Sequence, residues 1–279
     1  MITLRPSYYD SFSCIADACR HTCCAGWEID IDDDSMAIYN ECPDILCHIK
    51  DGSFVLQGED ERCPFLNSRG LCDLIIKYGE EILCDVCTEH PRFYNYDEDI
   101  EYIGLGLCCE AALDLILDSE DKFALIRGDI SPEGEVFGSY PWDKVPFGIA
   151  EVNDYEGKIS SYVANLYPDS RGSLARAKFY LGLEHLDPAW PSMLEDLASR
   201  EVAPEARDRF IDSNAREFRN LLIYFLYRHM GHRATAADSV RLIAELCLSS
   251  GLPLKEVARM YAVEIEYSDV NVDLLKEQL

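Results

Sequence analysis

Twelve of the thirteen cysteines fall within the first 109 residues, and only Cys247 lies beyond them. Thiolates are soft, charged ligands for zinc and iron, so a dense thiol field at one end of a chain points to a metal centre. The first local group is Cys14-x4-Cys19-x3-Cys23-Cys24; the second is Cys63, Cys72, Cys84 and Cys87; Cys108-Cys109 forms a third, short element. A tetrahedral zinc site or a four-iron cluster takes four thiolates from loops that turn sharply. Gly26, Pro64, Gly70, Gly79 and Pro91 supply such turns. The spacing also excludes several schemes. Cys84-x2-Cys87 is the one CxxC pair, so a paired zinc ribbon is absent. The radical S-adenosylmethionine signature would need a cysteine at Gly26, and the two-cluster ferredoxin run is missing. Adjacent cysteines splay their Cβ atoms apart, so one of Cys23 and Cys24 serves a centre while the other serves a second centre or packs.

The elements that carry these residues follow from periodicity and turn signals. Acidic runs (Asp32-Asp33-Asp34, Glu59-Asp60-Glu61) and frequent turns break the Cys-rich segment into short pieces. Glu110 to Arg127 reads as a helix with Ala112, Leu115, Ile116, Ser119 and Phe123 on one stripe. Residues 128–148 hold four glycines and three prolines and read as a connector. Ala206 to Met230 reads as a helix with Phe210, Asn214, Phe218, Leu221, Leu222, Phe225 and Leu226 at helical spacing, closed by Gly231. Further helices are expected over 236–249, 254–265 and 271–279. The expected fold is mainly α with small irregular β and loop elements: a Cys-rich metal-organised module over 1–127, the connector, and a helical domain over 149–279. Cys247 lies on an apolar helical face, as a buried inert thiol does.

A chain of 279 residues with 48% hydrophobic content has enough core to fold without disulfide staples. Met1-Ile-Thr-Leu-Arg5-Pro6 lacks the pattern of a secretory leader, and no apolar run approaches the ~20 residues of a membrane span. The expectation is a cytoplasmic protein with reduced, metal-bound thiols. The formal net charge is −27, with −16 in residues 1–110 (23 acidic, 7 basic) and −11 in the rest (29 acidic, 18 basic). Such a balance disfavours nucleic acid and anionic membranes and suits a lysine-bearing partner.

The segments FSCIADACRHTCCAGWEIDID, RCPFLNSRGLCDLI, LCDVCTEHPRF and LGLCCEAA, in this order, resemble the flagellin lysine-N-methylase family. The similarity continues at RNLLIYFLYRHM (219–230) and YAVEIEYSDVNVDLL (261–275). That resemblance implies methyl transfer from S-adenosylmethionine to lysine side chains of flagellin, with an iron–sulfur cluster in the protein; a four-iron cluster is favoured and zinc is the alternative. The family's recurrent cysteines fall on Cys14, Cys19, Cys23, Cys24, Cys63, Cys72, Cys87 and Cys109. Cys42, Cys47, Cys84 and Cys108 stand outside the pattern. Eight ligands exceed what one four-iron cluster takes, which leaves two centres or additional structural thiols as alternatives.

Other residues carry weaker expectations. Trp27 shields a cluster or packs. Arg92, after His90-Pro91, is a candidate clamp for the donor carboxylate, against the commoner role of satisfying a loop carbonyl. Glu264, Glu266 and Tyr267, with Tyr261 beside them, are candidates to orient the lysine or accept its proton, against ordinary surface or core roles. No Gly-rich nucleotide loop follows a convincing strand; GLGL at 104–107 falls short. The donor therefore rests on the resemblance. The rival readings are a non-enzymatic iron–sulfur or zinc module acting in electron transfer or as an adaptor, and a thiol oxidoreductase using Cys84 and Cys87.

Overall fold

The computed structural model describes the backbone of residues 2–131 and 134–279, and the side chains of those outside 129–137. The strands are β1 (Ile2–Pro6), β2 (Ile49–Lys50), β3 (Ser53–Phe54), β4 (Arg92–Asp97), β5 (Ile100–Leu105), β6 (Leu125–Ser131) and β7 (Gly134–Ser139). Helices dominate the rest, so the chain is mainly α. It divides into two compact units. The larger comprises residues 1–12, 94–108 and 112–279; the smaller comprises residues 13–93 and 109–111.

In the larger unit the strands lie in the order β4-β5-β1-β6-β7. β1 pairs parallel with β5 (Leu4 opposite Tyr102) and antiparallel with β6 (Leu4 opposite Arg127). Helix Ala215–Arg228 buries Phe218 and every residue from Leu221 to Tyr227. Its Tyr227 hydroxyl donates to Leu4 O at 3.0 Å and to Ile103 O at 3.1 Å, which ties helix to sheet. Helix Arg233–Ser250 is the centre of the core: all residues from Thr235 to Cys247 are buried. A helix buried all round must pair the charges it carries. Arg176 (fully buried) donates to Asp238 at 2.8 Å, to Glu245 at 2.7 Å and to Asp169 at 2.7 Å, and Arg207 bonds Asp169 and Glu245. Gly251 ends this helix at φ 74°, a left-handed conformation that a side chain resists.

Several boundaries differ from expectation. The helix from Glu110 stops at Leu117, because the acidic run Asp118-Ser119-Glu120-Asp121 is unfavourable at a helix C-terminus and Leu125-Ile126 pair with β1 instead. Residues 128–148, expected as a connector, carry the end of β6 and all of β7; Pro132 and Glu133 lie outside the described residues. The expected helix over 206–230 is broken at Asn214 (φ −119°, ψ 43°) into Pro204–Ser213 and Ala215–Arg228. The expected helix over 254–265 becomes Leu254–Tyr261 followed by a π-turn over Ala262–Glu266. No helix among the described residues is long and apolar enough to cross a membrane.

The smaller unit is built of short pieces, the longest being helix Asp33–Tyr39. Its core is Ile29, Tyr39, Ile45, Phe54, Phe65 and Leu74 with the thiols of Cys63 and Cys84. Tyr39 stacks on Phe54 at 5.8 Å between centroids and donates its hydroxyl to Ile82 O at 2.6 Å. Asp32 caps helix Asp33–Tyr39 by accepting from Ser35 N at 2.8 Å, and its other oxygen accepts from Asp85 N at 2.9 Å. One carboxylate thereby joins the start of this helix to the start of helix Asp85–Glu89.

Candidate metal centre

None of the thirteen cysteines is joined in a disulfide. Turn chemistry in the smaller unit brings those of the Cys63–Cys87 segment together. Asn67 Oδ1 accepts from Arg69 N (2.9 Å) and Leu71 N (3.2 Å), and Asn67 Nδ2 donates to Asp73 at 2.7 Å. Gly70 occupies φ 76° within that turn. The turn closes the CPFLNSRGLCD segment so that Leu66 bridges Cys72 and Asp73 N donates to Phe65 O at 2.8 Å. Cys63 N donates to Cys24 O at 2.8 Å, which sets the second residue of the vicinal pair beside this turn. Cys24, Cys72 and Cys87, half-buried, pack against the core that holds Cys63 and Cys84; Cys42 packs there too.

Cys14, Cys19, Cys23 and Cys109 lie outside that core. Glu110, next to Cys109, is tied to the loop between Cys19 and Cys23. Its side chain accepts from Arg20 N at 3.2 Å, meets Arg20 Nε at 3.5 Å and makes a short contact with His21 Nδ1. Cys109 is thus held beside the Cys19–Cys23 loop. Burial opposes ionisation of Glu110, but His21 and the Arg20 N–H outweigh it and hold the carboxyl low. Cys14 Sγ accepts from Ala16 N at 3.4 Å.

The electrostatics follow the same grouping. Burial raises Cys19, and Glu110, Cys109 and Cys14 add to the rise. Cys23 donates its S–H to Cys24, which raises Cys23 and lowers Cys24 to about 6; Cys14 and Cys109 raise Cys23 further, while Arg62 favours the Cys24 thiolate. Burial pushes Cys63 up to about 11, with Cys24, Cys72 and Cys84 contributing. Cys87 donates to Cys84, raising Cys87 and lowering Cys84 to about 7. Burial holds Cys247, in the larger unit, at about 12, in keeping with an inert packed thiol.

These donors fit iron or zinc in kind: soft thiols outside any disulfide, drawn from several loops into adjacent groups. Among the described residues, no three His, Cys, Asp or Glu side chains already stand as a ligand set. Ligation of one ion by several of these thiols would require their side chains to move from these positions.

The remaining candidates are distributed as follows. Trp27 meets His90 edge-on at 6.5 Å, and burial holds the His90 imidazole near 4, hence neutral at pH 7. Arg92 donates to Thr88 O at 2.8 Å. In the larger unit, Glu264 accepts from Leu186 N at 2.8 Å and Asp187 N at 2.9 Å, so both oxygens are committed to backbone. Glu266, on the π-turn, accepts from Tyr224 Oη at 2.6 Å and faces the buried His229 Nε2 at 3.4 Å. Burial lowers His229, which makes that imidazole a poor cation despite its carboxylate. The Tyr267 hydroxyl accepts from Cys108 Sγ at 3.3 Å. Tyr261 is buried and bonded to Ser239. The Tyr224–Glu266–His229 cluster was half visible in the sequence, since the EIEYS segment drew attention while Tyr224 and His229 read only as part of a helix. A cleft of about 230 Å³ lined by Tyr8, Lys122, Phe123 and Asn220 is smaller than ordinary small-molecule sites.

No family model and no solved structure matches the chain. Among curated proteins, it is 28% identical over 232 residues to a lysine-N-methylase of Salmonella choleraesuis (strain SC-B67) and 27% identical over 232 residues to one of Salmonella typhimurium (strain LT2). It is 26% identical over 134 residues, 43% of its length, to a flagellar biosynthetic protein FliU of Salmonella muenchen, covering 79% of that protein. The chain is thus similar over 76% of its length to proteins named lysine-N-methylase, of which it spans 57%.

Proposed function

We propose that this chain carries protein-lysine N-methyltransferase activity toward a flagellar protein, with S-adenosylmethionine as donor and an iron–sulfur centre held by the N-terminal thiols. The observation that carries the reading is the similarity to lysine-N-methylases through 76% of the chain. The thiols of the smaller unit, none joined in a disulfide, support the metal. In the transfer, the lone pair of a neutral lysine Nζ forms a bond to the sulfonium methyl carbon. The carbon–sulfur bond breaks, the sulfur leaves as a neutral thioether, and Nζ releases a proton.

Direct displacement transfers no electron, so the centre, when bound, supplies fold organisation and a Lewis-acidic edge for the amino acid end of the donor. Its ligands would be drawn from Cys14, Cys19, Cys23, Cys24, Cys63, Cys72, Cys87 and Cys109, more thiols than one four-iron centre takes. The net charge of −27 raises the local concentration of a cationic lysine segment. Arg92, beside the second thiol group in sequence, is the candidate partner for the donor carboxylate. Glu266 is a better candidate than Glu264 for holding the departing proton, because both Glu264 oxygens already accept backbone N–H groups.

The test is methyl transfer from labelled S-adenosylmethionine to flagellin by anaerobically prepared, metal-replete protein, read by mass spectrometry. Label on lysine Nζ is expected. Absence of label with the metal intact overturns the reading. Reversible redox bleaching without donor binding would instead favour an electron-transfer module.

A further inference from the structure

The cleft in the larger unit is built on the scale of one amino-acid side chain. Its volume is about 230 Å³, below the roughly 300–1,000 Å³ of small-molecule sites. Buried Ile116 and Ile223 supply its apolar surface. Tyr8 and Phe123 supply aromatic surface, with their rings edge to face at 6.3 Å between centroids. Ser11 and Asp121, both exposed, stand at its rim. Asn220 is fixed beside them, because its Nδ2 donates to Leu117 O at 3.1 Å and to Ser119 O at 2.9 Å. Those two bonds leave Asn220 Oδ1 as a spare acceptor.

We propose that this cleft binds the side chain of a lysine on a protein segment, with the methylenes against Tyr8, Phe123 and the two isoleucines and the ammonium at Asp121. The inference rests on the lysine-directed activity proposed above and names the surface that would recognise such a substrate.

Charge compensation singles out Asp121. The neighbouring carboxylates are already spent: Asp114 and Asp118 each meet Lys255 at 2.7 Å, Asp154 meets Lys122 at 2.6 Å, and Glu120 faces Arg216 at 3.5 Å. Asp121 alone of this group makes no hydrogen bond or ion pair among the described residues. Lys122 also lines the cleft, but Asp154 neutralises it, so the uncompensated charge there is negative. A cation is therefore favoured over an anion, and the electron-rich rings of Tyr8 and Phe123 add to that preference. An ammonium brings three donors and no acceptor. The hydroxyls of Tyr8, Ser11 and Ser119 have no partner among the described residues, and with Asp121 and Asn220 Oδ1 they can accept all three. A lining that is apolar within and polar at the rim matches a side chain with a long methylene stem and a charged head.

The test is saturation-transfer NMR on the full chain with an acetylated and amidated glycine peptide that carries one central lysine, and no methyl donor present. Saturation should pass most strongly to the lysine methylenes. Asp121→Asn should weaken binding about two- to fivefold, the worth of an exposed ion pair. Glu120→Gln removes an adjacent carboxylate that does not line the cleft and should leave binding unchanged. Ser11→Trp fills the rim and should abolish binding, which tests the cleft even if D121N does not fold. No binding to the wild-type chain, equal weakening in D121N and E120Q, or undiminished binding in folded S11W overturns the proposal. The assay needs neither donor nor metal. Absence of methyl transfer beside Asp121-dependent peptide binding would therefore count against the proposed activity alone and leave the cleft assignment in place.

Discussion

Replacing Arg176 with Met probes how the larger unit tolerates charge in its centre. Arg176 is fully buried and is the charged partner of Asp238, whose other oxygen has no hydrogen-bond partner among the described residues. Arg207 still faces Asp169 and Glu245 when Arg176 is removed. Asp238, 1% exposed, then loses its ion pair and keeps only the more distant charge of Arg241. Breaking such a pair from one side costs about 3–5 kcal/mol. Each kcal/mol is worth about 2–4 °C in a unit of this size. R176M should therefore lower the melting temperature of the helical unit by on the order of 10 °C, measured by circular dichroism at 222 nm and pH 7. Adding Asp238→Leu in the R176M background removes the stranded carboxylate and should recover part of the loss. Melting within about a degree of the parent, or a further loss in the double variant, would refute the reasoning.

Two further outcomes follow from single carboxylates. Asp32→Ala should cost about 1 kcal/mol as a lost helix cap, more if the Asp85 N–H finds no water, as read by urea denaturation. The backbone N–H groups of Asp85 and Ser35 hold the Asp32 carboxyl down at about 2, so its contribution is present above about 3.9 and is lost as pH falls toward 2; the difference between wild type and D32A should shrink over that window. Glu264→Gln places an amide against two backbone donors and should destabilise by about 1–3 kcal/mol. It should leave the pH profile of methyl transfer unchanged, and a shifted profile would return Glu264 to the chemistry.

The division of labour along the chain was legible where a residue type has few uses. Twelve clustered thiols, an apolar stripe through Leu221, Leu222, Phe225 and Leu226, and a glycine at 251 each admit few structural readings, and the structure gives the helical ones as expected. What escaped was set by distant partners. Nothing local in Leu125-Ile126-Arg127 says strand; their pairing with Leu4, Arg5 and Pro6 does. Nothing in the sequence marks the buried charges Arg176, Asp238 and Glu245, because only the three-dimensional arrangement brings them together. Likewise, the place of Cys109 beside the Cys19–Cys23 loop depends on Glu110 reaching back some ninety positions to Arg20 and His21, a contact that no spacing rule anticipates. Glu264 and Glu266 are two residues apart, yet one satisfies a loop and the other a tyrosine, because the π-turn rotates them toward different neighbours.

The claim on which the account stands is that the thiols of the smaller unit are metal ligands, and differential alkylation tests it most directly. Anaerobically purified protein, treated with iodoacetamide before and after chelation and mapped by peptide mass spectrometry, should show Cys14, Cys19, Cys23, Cys24, Cys63, Cys72, Cys87 and Cys109 protected until metal is removed. The exposed Cys47 should react in both states, and Cys24, held near 6, should react fastest of the eight once freed. Equal labelling of these eight cysteines before and after chelation would contradict the account.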